Sequence, residues 1–232
     1  MRGERYLRQT MLPEIGEEGQ RRLHDAAVLI VGLGGLGSAA APYLAGAGIG
    51  RLGLADPDVV SESNLHRQTL YTERQIGAPK TRAARERLAA FSSQTRFDCY
   101  PGGITEENAR RTVAEYDLVV DCCDNFPTRF LLDDACAACG KPWVYASIGA
   151  FGGQVSLLNG PSGRRYAELF PDREALCARP RRAEGVVGPV PGVVGAMAAA
   201  EALKVLAGFG EPLDGRLLTI DLKTWQTEIF TF

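Results

Sequence analysis

A glycine-rich turn between two apolar runs is the feature that most restricts how this chain can fold. Residues 28–31 (VLIV) predict a buried strand, residues 32–37 (GLGGLG) a tight turn, and residues 36–47 a helix of small residues. A second apolar run, residues 51–55, ends at Asp56. The glycines leave the start of the helix free to meet a phosphate, and an acidic residue after the second strand can accept hydrogen bonds from ribose hydroxyls. The pattern predicts a nucleotide site without deciding which nucleotide.

Strands and helices alternate on both sides of this unit. Further strands are predicted at residues 96–100, 118–120 and 143–146, and further helices at residues 16–25, 79–91, 106–113 and 127–139. Such alternation is typical of parallel β-α-β units with helices on both faces of the sheet. It predicts an α/β fold of the Rossmann-like, doubly wound type, with a mostly parallel sheet.

The pattern changes after these units. Residues 154–158 predict a strand, and residues 192–206 predict a helix of small residues. Between them, residues 161–189 are rich in Arg, Pro and Gly and predict a long mobile connection. Residues 217–221 and 227–230 predict paired strands, a C-terminal antiparallel extension. We expect one domain over residues 1–232, made up of an N-terminal helical arm, a nucleotide-binding core, and a crossover loop with its extension, at residues 1–26, 27–150 and 151–232.

Charge and composition argue against several classes of partner. With 26 basic and 28 acidic residues the net charge is -2, so no global field favours nucleic acid or an anionic membrane. No uninterrupted apolar run is long enough to span a bilayer, and the charged N-terminus lacks the apolar core of a signal peptide. The six cysteines show no disulfide spacing. We expect a cytoplasmic protein that binds neither nucleic acid nor membranes.

Polar and charged side chains follow the second predicted strand. The stretch from residue 56 to residue 80 contains Asp56, Asp58, Asn64, Arg67, Gln68 and Lys80. A glycine loop alone suits an NAD-linked oxidoreductase as well as a triphosphate enzyme. The pyrophosphate of NAD is satisfied by backbone N–H groups, whereas two cations suit a triphosphate that must be held while a bond breaks. Taken singly, each of these residues is typical of a solvated surface.

A second charged segment, residues 121–125 (DCCDN), ends another predicted strand. Because the carboxyl ends of parallel strands lie at one edge of the sheet, we expect this segment to lie near the glycine turn. A carboxylate that faces phosphates favours Mg²⁺. The two segments together therefore favour chemistry on a triphosphate.

Several longer motifs carry a resemblance to a known family. They are YLRQTMLPEIGEEGQ, GLGGLGS, DPDVVSESNLHRQ, GAPK, DCCDNFPTR, GGQVSL and GVVGPVPGVVGAMAAAEALKVLAG. With them the chain resembles, over essentially its whole length, the MoeB/ThiF/HesA branch of the ubiquitin-activating-enzyme-like superfamily. The resemblance implies an adenylyltransferase that joins the C-terminal glycine carboxylate of a ubiquitin-like sulfur carrier, similar to ThiS or MoaD and ending in Gly-Gly, to the α-phosphate of ATP. Pyrophosphate is released, in thiamin, molybdopterin or related sulfur-transfer biosynthesis.

The resemblance also implies roles for individual residues. Gly34 approaches the nucleotide, Asp56 holds the ribose, and Gln68 helps to orient the site. The phosphate contacts come from Asn64, Arg67 and Lys80. Asp124 is the implied Mg²⁺ ligand. Arg8 is the implied contact to the triphosphate of a neighbouring subunit, which predicts a homodimer; without the motif around it, Arg8 would be a solvent-exposed charge.

The chain departs from the family in its cysteines. Many relatives bind zinc with two Cys-x-x-Cys pairs, but here residues 165–168 (RYAE) stand at the place of the first pair and the second is missing before Phe232. Cys136 and Cys139 form one such pair inside a predicted helix, and a four-thiolate site needs two more ligands. We therefore expect ATP and Mg²⁺ as cofactors and no structural zinc.

Cys177 is the remaining candidate. Relatives place a cysteine shortly before the GVVGPVPGVVG motif, where it can link covalently to the activated carrier. Nearby arginines would favour the thiolate if the segment leaves it exposed; they are Arg173, Arg179, Arg181 and Arg182. The alternative is a spare cysteine in a mobile loop, with sulfur attached by a separate sulfurtransferase. An NAD-linked oxidoreductase and a non-catalytic nucleotide-binding scaffold stay open as other functions, and Arg67, Lys80 and Asp124 argue against the scaffold.

Overall fold

One mixed sheet organises the chain. In the computed structural model, which describes residues 4–180 and 185–232, eight strands run in the order β3-β2-β1-β4-β5-β6-β7-β8. The strands are β1 (Ala27–Val31), β2 (Arg51–Ala55), β3 (Arg96–Tyr100), β4 (Leu118–Asp121), β5 (Trp143–Gly149), β6 (Gly152–Leu158), β7 (Arg216–Asp221) and β8 (Gln226–Thr231). The first five are parallel and the last three antiparallel. The predicted fold class and the C-terminal antiparallel extension are confirmed.

Helices cover both faces of the sheet. Those within the described ranges are α1 (Leu7–Thr10), α2 (Gly16–Asp25), α3 (Gly35–Ala47), α4 (Lys80–Phe91), α5 (Ala109–Ala114), α6 (Phe126–Cys139), α7 (Tyr166–Leu169), α8 (Arg173–Ala178) and α9 (Pro189–Ala207). One apolar core lies between the sheet and α3, α4 and α9, and a second lies between the sheet and α5, α6 and α7. Two buried faces explain why β1 and β4 are almost entirely apolar.

Some predicted boundaries are wrong for local reasons. Helix α5 begins three residues later than predicted because Asn108 closes a turn, its side chain accepting a hydrogen bond from the Thr105 N–H. Pro79 precedes α4 instead of opening it, with an extended ψ of 130°. Helix α6 ends at Cys139, as predicted, and Gly140 follows it with a φ of 63°.

Helix α9 is the central helix of the first core. Among the described residues it is the one helix long and apolar enough to cross a membrane, by length and composition only. It packs against α3 and β5, and Val194, Ala198 and Ala202 are fully buried. Its first turn contains Pro189 and Pro191, which suit a helix start. The expectation of no membrane partner stays a prediction.

The connection between β6 and α9 is more ordered than predicted. It forms α7 and α8, so the expected mobile connection is wrong for residues 166–178. The reason is an aromatic cluster: Tyr166 is fully buried, with ring centroids 4.7 Å from Phe170, 5.0 Å from Phe130 and 5.2 Å from Tyr145. The hydrophobic periodicity of residues 161–189 is too weak to predict this packing from the sequence. Residues 181–184, which include Arg181 and Arg182, lie outside the described residues.

Candidate nucleotide-binding site

The order of strands reverses between β1 and β4, and this defines where the site lies. From β1 the chain moves outward to β2 and β3, and then returns to the other side of β1 with β4. Open α/β sheets bind ligands in the crevice outside the carboxyl ends of the strands at such a point. The segments that follow β1, β2 and β4 are the glycine loop, residues 56–80 and residues 122–125. These are the three segments singled out in the sequence.

Two glycines build the loop and a third leaves room above it. Gly32 has a φ of 94°, and a Cβ there would lie 2.5 Å from the carbonyl oxygen of Cys122. A Cβ at Gly37 would overlap the Gly32 carbonyl. At Gly34, by contrast, the one described atom that a Cβ would meet is Gln68 Nε2, at 3.6 Å. Packing therefore explains Gly32 and Gly37, while Gly34 suits a backbone that a ligand approaches closely.

Asp56 holds the glycine loop in place. Its carboxylate accepts hydrogen bonds from the Leu33 N–H at 2.6 Å and the Asp58 N–H at 2.8 Å. The Leu33 carbonyl accepts in turn from the Tyr71 hydroxyl at 2.8 Å. Burial raises the pKa of Asp56, and the nearby Lys80 partly offsets this. Each carboxylate oxygen keeps a further lone pair, so the position remains compatible with a ribose contact.

Lys80 brings a cation beside that carboxylate. As the first residue of α4 it is only 5% exposed, and its Nζ lies 2.9 Å from Asp58 Oδ2 and 3.8 Å from Asp56 Oδ1. A buried ammonium with two carboxylates near it is well compensated. Asp56 and Lys80, to which the resemblance gives roles at the same nucleotide, therefore lie side by side.

Asn64 is the last residue of a short 3-10 helix, Glu62–Asn64, and Arg67 and Gln68 follow that helix. The Gln68 N–H bonds to the Asn64 carbonyl, and Gln68 is buried with its Oε1 lacking a partner in the described part of the chain. Buried amide oxygens are normally paired, so Gln68 fits a site that a ligand completes. Arg67 Nη1 donates to the Ser63 carbonyl at 2.9 Å and lies 2.9 Å from His66 Nε2.

Asp124 projects from the loop after β4. It is exposed, and its Oδ1 lies 3.5 Å from Asn125 Nδ2. Asn125 caps α6 by accepting from the Thr128 N–H at 2.9 Å. Within residues 4–180 and 185–232, no group of three or more His, Cys, Asp or Glu side chains could hold a metal. One carboxylate is enough for Mg²⁺, which usually binds proteins through one or two carboxylates together with substrate phosphates.

Arg8 is not near these residues within its own chain. Tyr6, just before α1, packs against Gly48 at the C-terminal end of α3, and Gln9 bonds to the Ala47 carbonyl at 3.1 Å. Gly34 lies at the other end of α3, about 20 Å away at 1.5 Å per residue. The side chain of Arg8 is exposed. Its predicted contact to a neighbouring subunit stays a prediction.

Cys177 was expected in an exposed irregular loop, and the structure differs. It lies in α8, partly buried against the second core. The guanidinium of Arg173, one of the nearby arginines, has other partners: it lies over the Phe130 ring and bonds to Asp134 at 2.6 Å. The predicted role of Cys177 remains untested by this arrangement.

The cysteine pair in α6 lies in packed surroundings. Cys136 is fully buried, and burial raises the pKa of its thiol. Cys139 Sγ lies 3.4 Å from the Arg110 carbonyl. The residues at the place of the first zinc pair do something else: Arg165 bonds to Asp133 through Nε and Nη2, at 2.9 and 3.0 Å. The absence of zinc stays a prediction.

Three residues at the site were missed in the sequence. Tyr71 supports the glycine loop, and the buried pair Asp121 and Arg129 lies under the segment that carries Asp124. Asp121 and Arg129 both belong to the quoted motif DCCDNFPTR, which contained the signal. Tyr71 had no local signal, because its role depends on a contact 38 residues away.

The fold and this edge are typical of a nucleotide-binding α/β protein. A model of the ThiF family matches residues 6–232. A sulfur carrier protein adenylyltransferase of Thermus thermophilus is 49% identical over 224 residues, covering 94% of this chain and 83% of that protein. An adenylyltransferase and sulfurtransferase MOCS3 of Mus musculus is 46% identical over 222 residues; the match covers 94% of this chain but only 47% of that protein. The chain belongs to the ThiF family, and its predicted class, an adenylyltransferase, is confirmed.

Solved structures support the fold. A crystal structure of E. coli MccB with MccA-N7isoASN aligns with a TM-score of 0.86 and 22% identity, covering 100% of this chain and 72% of that chain. A crystal structure of PaaA aligns with a TM-score of 0.85 and 21% identity, covering 99% and 73%. Between the two nucleotide hypotheses, the sequence relatives favour adenylyl transfer over an NAD-linked oxidoreductase.

Proposed function

We propose that this chain adenylates the C-terminal glycine carboxylate of a ubiquitin-like sulfur carrier protein that ends in Gly-Gly. The cofactors are ATP and Mg²⁺, and the products are the acyl-adenylate and pyrophosphate. The setting is thiamin, molybdopterin or related sulfur-transfer biosynthesis in the cytoplasm. The name of the Thermus thermophilus relative supports the kind of substrate.

One observation carries the proposal: the segments bearing Lys80 and Asp124 both meet the glycine loop. Lys80 lies 3.8 Å from Asp56, which binds the loop at Leu33. The segment with Asp124 touches it at Gly32. A buried cation and an exposed carboxylate on either side of a glycine loop suit a triphosphate that must be cleaved.

The reaction needs alignment more than acid–base chemistry. The carrier carboxylate is already ionised near neutrality, so no enzyme base is required. One of its oxygens attacks the α-phosphorus of ATP, an anhydride bond forms, and the bond to pyrophosphate breaks. Asn64, Arg67 and Lys80 would hold the phosphates in line. Mg²⁺ held by Asp124 and the phosphates would neutralise the charge of the departing pyrophosphate.

A homodimer completes the proposed site. Helix α1 lies at the end of α3 remote from Gly34, so Arg8 is too far from the loop of its own chain. An exposed arginine in that position suits a contact to the triphosphate of a second copy. The hybrid-dimer experiment below tests this part.

The sulfur step is a separate proposal. Attack of the Cys177 thiolate on the acyl-adenylate would expel AMP and leave a carrier thioester. The Cys177→Ser variant should retain pyrophosphate exchange, because adenylation uses no thiol, and should form no thioester with the carrier. Sulfur transfer at the wild-type rate in this variant would leave the step to a separate sulfurtransferase.

Pyrophosphate exchange tests the adenylation itself. Labelled pyrophosphate should enter ATP when the chain is mixed with Mg²⁺ and a carrier ending in Gly-Gly. A carrier truncated by its last glycine is the matched control and should support little exchange. NAD binding without ATP binding would contradict the proposal and favour the oxidoreductase.

A further inference from the structure

A buried ion pair lies directly under the segment that carries Asp124. Asp121, the last residue of β4, is fully buried, and Arg129, on the first turn of α6, is 6% exposed. Arg129 Nε lies 3.3 Å from Asp121 Oδ2. Burial raises the pKa of Asp121, and the guanidinium of Arg129 counteracts that rise.

This pair holds the peptide groups on both sides of Cys123. The Cys123 N–H donates to Asp121 Oδ1 at 2.9 Å, and Arg129 Nη2 donates to the Cys123 carbonyl at 2.8 Å. That carbonyl belongs to the peptide bond that leads into Asp124. On its other side, Asn125 is held as the cap of α6. Asp124 is therefore the exposed residue between two fixed points.

Arg129 also ties this segment to the neighbouring strand. Its Nη2 lies 3.4 Å from the Ala146 carbonyl in β5, and its guanidinium lies 5.2 Å from the centre of the Tyr145 ring. These contacts fix the backbone next to Asp124 relative to β4 and β5.

Folding stability alone does not explain why Asp121 and Arg129 form a buried ion pair. Replacing a buried ion pair with packed apolar side chains is often neutral or stabilising. A fixed backbone, however, removes the entropy that Asp124 would otherwise lose each time it binds a cation. The geometry points to placement of Asp124.

We infer that Arg129 is a positioning residue that sets the Asp124 carboxylate for the metal–triphosphate complex, acting through the Cys123 carbonyl. The inference rests on the proposed function, because it uses Asp124 as the metal ligand. It assigns Arg129 no contact with ATP. Its effect must therefore pass through Asp124, and this is what the experiment measures.

The test compares ATP affinity in Mg²⁺ with affinity in EDTA. In wild type, Mg²⁺ should tighten ATP binding, and Arg129→Met should reduce that tightening by about tenfold while leaving the affinity in EDTA unchanged. Amide hydrogen exchange at residues 123–124 should speed up in Arg129→Met. In an Asp124→Asn background, Arg129→Met should cause no further loss of the Mg²⁺ effect, since residues that act as a unit are not additive.

Arg165→Met is the matched control. It too removes a guanidinium from a buried carboxylate on α6, that of Asp133, but does not touch the Asp124 segment. It should lower the unfolding midpoint and leave the Mg²⁺ effect intact. If Arg129→Met does not fold, Arg129→Lys is the second test variant. A lysine ammonium cannot reach both Asp121 and the Cys123 carbonyl, so this variant should lose part of the Mg²⁺ effect on ATP affinity.

Two results would overturn the inference: a folded Arg129 variant with the wild-type Mg²⁺ effect, or a loss that persists in full without the Asp124 carboxylate. Failure of the proposed function is distinguishable from both. Wild-type protein would then show no exchange with any carrier, while ATP binding and hydrogen exchange, which need no carrier, would still report on Arg129.

Discussion

Lys80 Nζ lies 2.9 Å from Asp58 Oδ2, although Lys80 is 5% exposed and Asp58 is 67% exposed. The Lys80 ammonium is buried at the start of α4, whereas the side chain of Asp58, its nearer partner, can rotate into solvent. A phosphate could replace Asp58 without moving Lys80. This arrangement suits the phosphate contact that we propose for Lys80.

Under the proposed function, Lys80→Met should reduce pyrophosphate exchange by about 10²-fold or more, because it removes the charge that would stabilise the transition state. Asp58→Asn should change exchange by less than about tenfold, since it removes only the exchangeable partner. Steady-state exchange rates of the two variants check this. Equal losses in both would mean that Asp58 itself has a catalytic role.

Gly34→Ala should fold nearly as well as wild type and lose ATP affinity, because its Cβ would have no contact shorter than 3.6 Å with the residues that the structure describes and would occupy the approach to the loop. Gly32→Ala is the comparison, since its φ of 94° and its contact with Cys122 should make that variant strongly destabilised. Thermal unfolding and ATP titration measure both effects. Normal ATP binding by Gly34→Ala would remove Gly34 from the site.

Mixing two inactive variants should restore part of the activity if Arg8 acts across a dimer. Arg8→Ala and Asp124→Ala subunits are each expected to be inactive, and a hybrid dimer would contain one site with both residues intact. The measurement is pyrophosphate exchange after subunit exchange has been demonstrated. No recovery would contradict the shared site.

The stability of Asp56→Asn relative to wild type should depend on pH. Burial raises the pKa of Asp56 in the folded state. The folded chain then binds more protons than the unfolded chain between the ordinary and the raised pKa, so the free energy of unfolding falls as pH rises through that window. The asparagine variant lacks this slope, so its stability relative to wild type should rise with pH there. Urea unfolding from pH 3.5 upward measures it, and a pH-independent difference would contradict the raised pKa.

Tyr166→Ala should destabilise the protein by about 3–5 kcal/mol, because it removes a buried ring from an aromatic cluster. Tyr166→Phe keeps the ring and is the control, with a much smaller expected loss of stability.

The expected absence of zinc can be tested with a chelator. If α7 is anchored by the Tyr166 ring and by the Arg165–Asp133 pair, a chelator should not change the unfolding midpoint. Elemental analysis should find far less than one zinc per chain, and a chelator-induced fall in the midpoint would contradict the prediction.

Local sequence determined most of the fold. The glycine loop, the alternation of strands and helices, and stop signals such as Gly140 act over a few residues, so their periodicity and backbone preferences predict elements directly. The same logic placed Asp56, Lys80 and Asp124 at one edge, because parallel strands share their carboxyl ends. Local patterns could not reveal α7 and α8, whose four and six residues are too short for a clear helical period.

Tertiary structure alone decided the contacts that give these residues their roles. Lys80 meets Asp58, 22 residues away, and Arg165 meets Asp133, 32 residues away. Arg129 lies only eight residues from Asp121, yet its hold on the Asp124 segment also needs β5, since its guanidinium rests on Tyr145. Pairings of this kind depend on how separate elements pack, and packing selects partners by shape and charge in three dimensions, which no periodicity along the chain records.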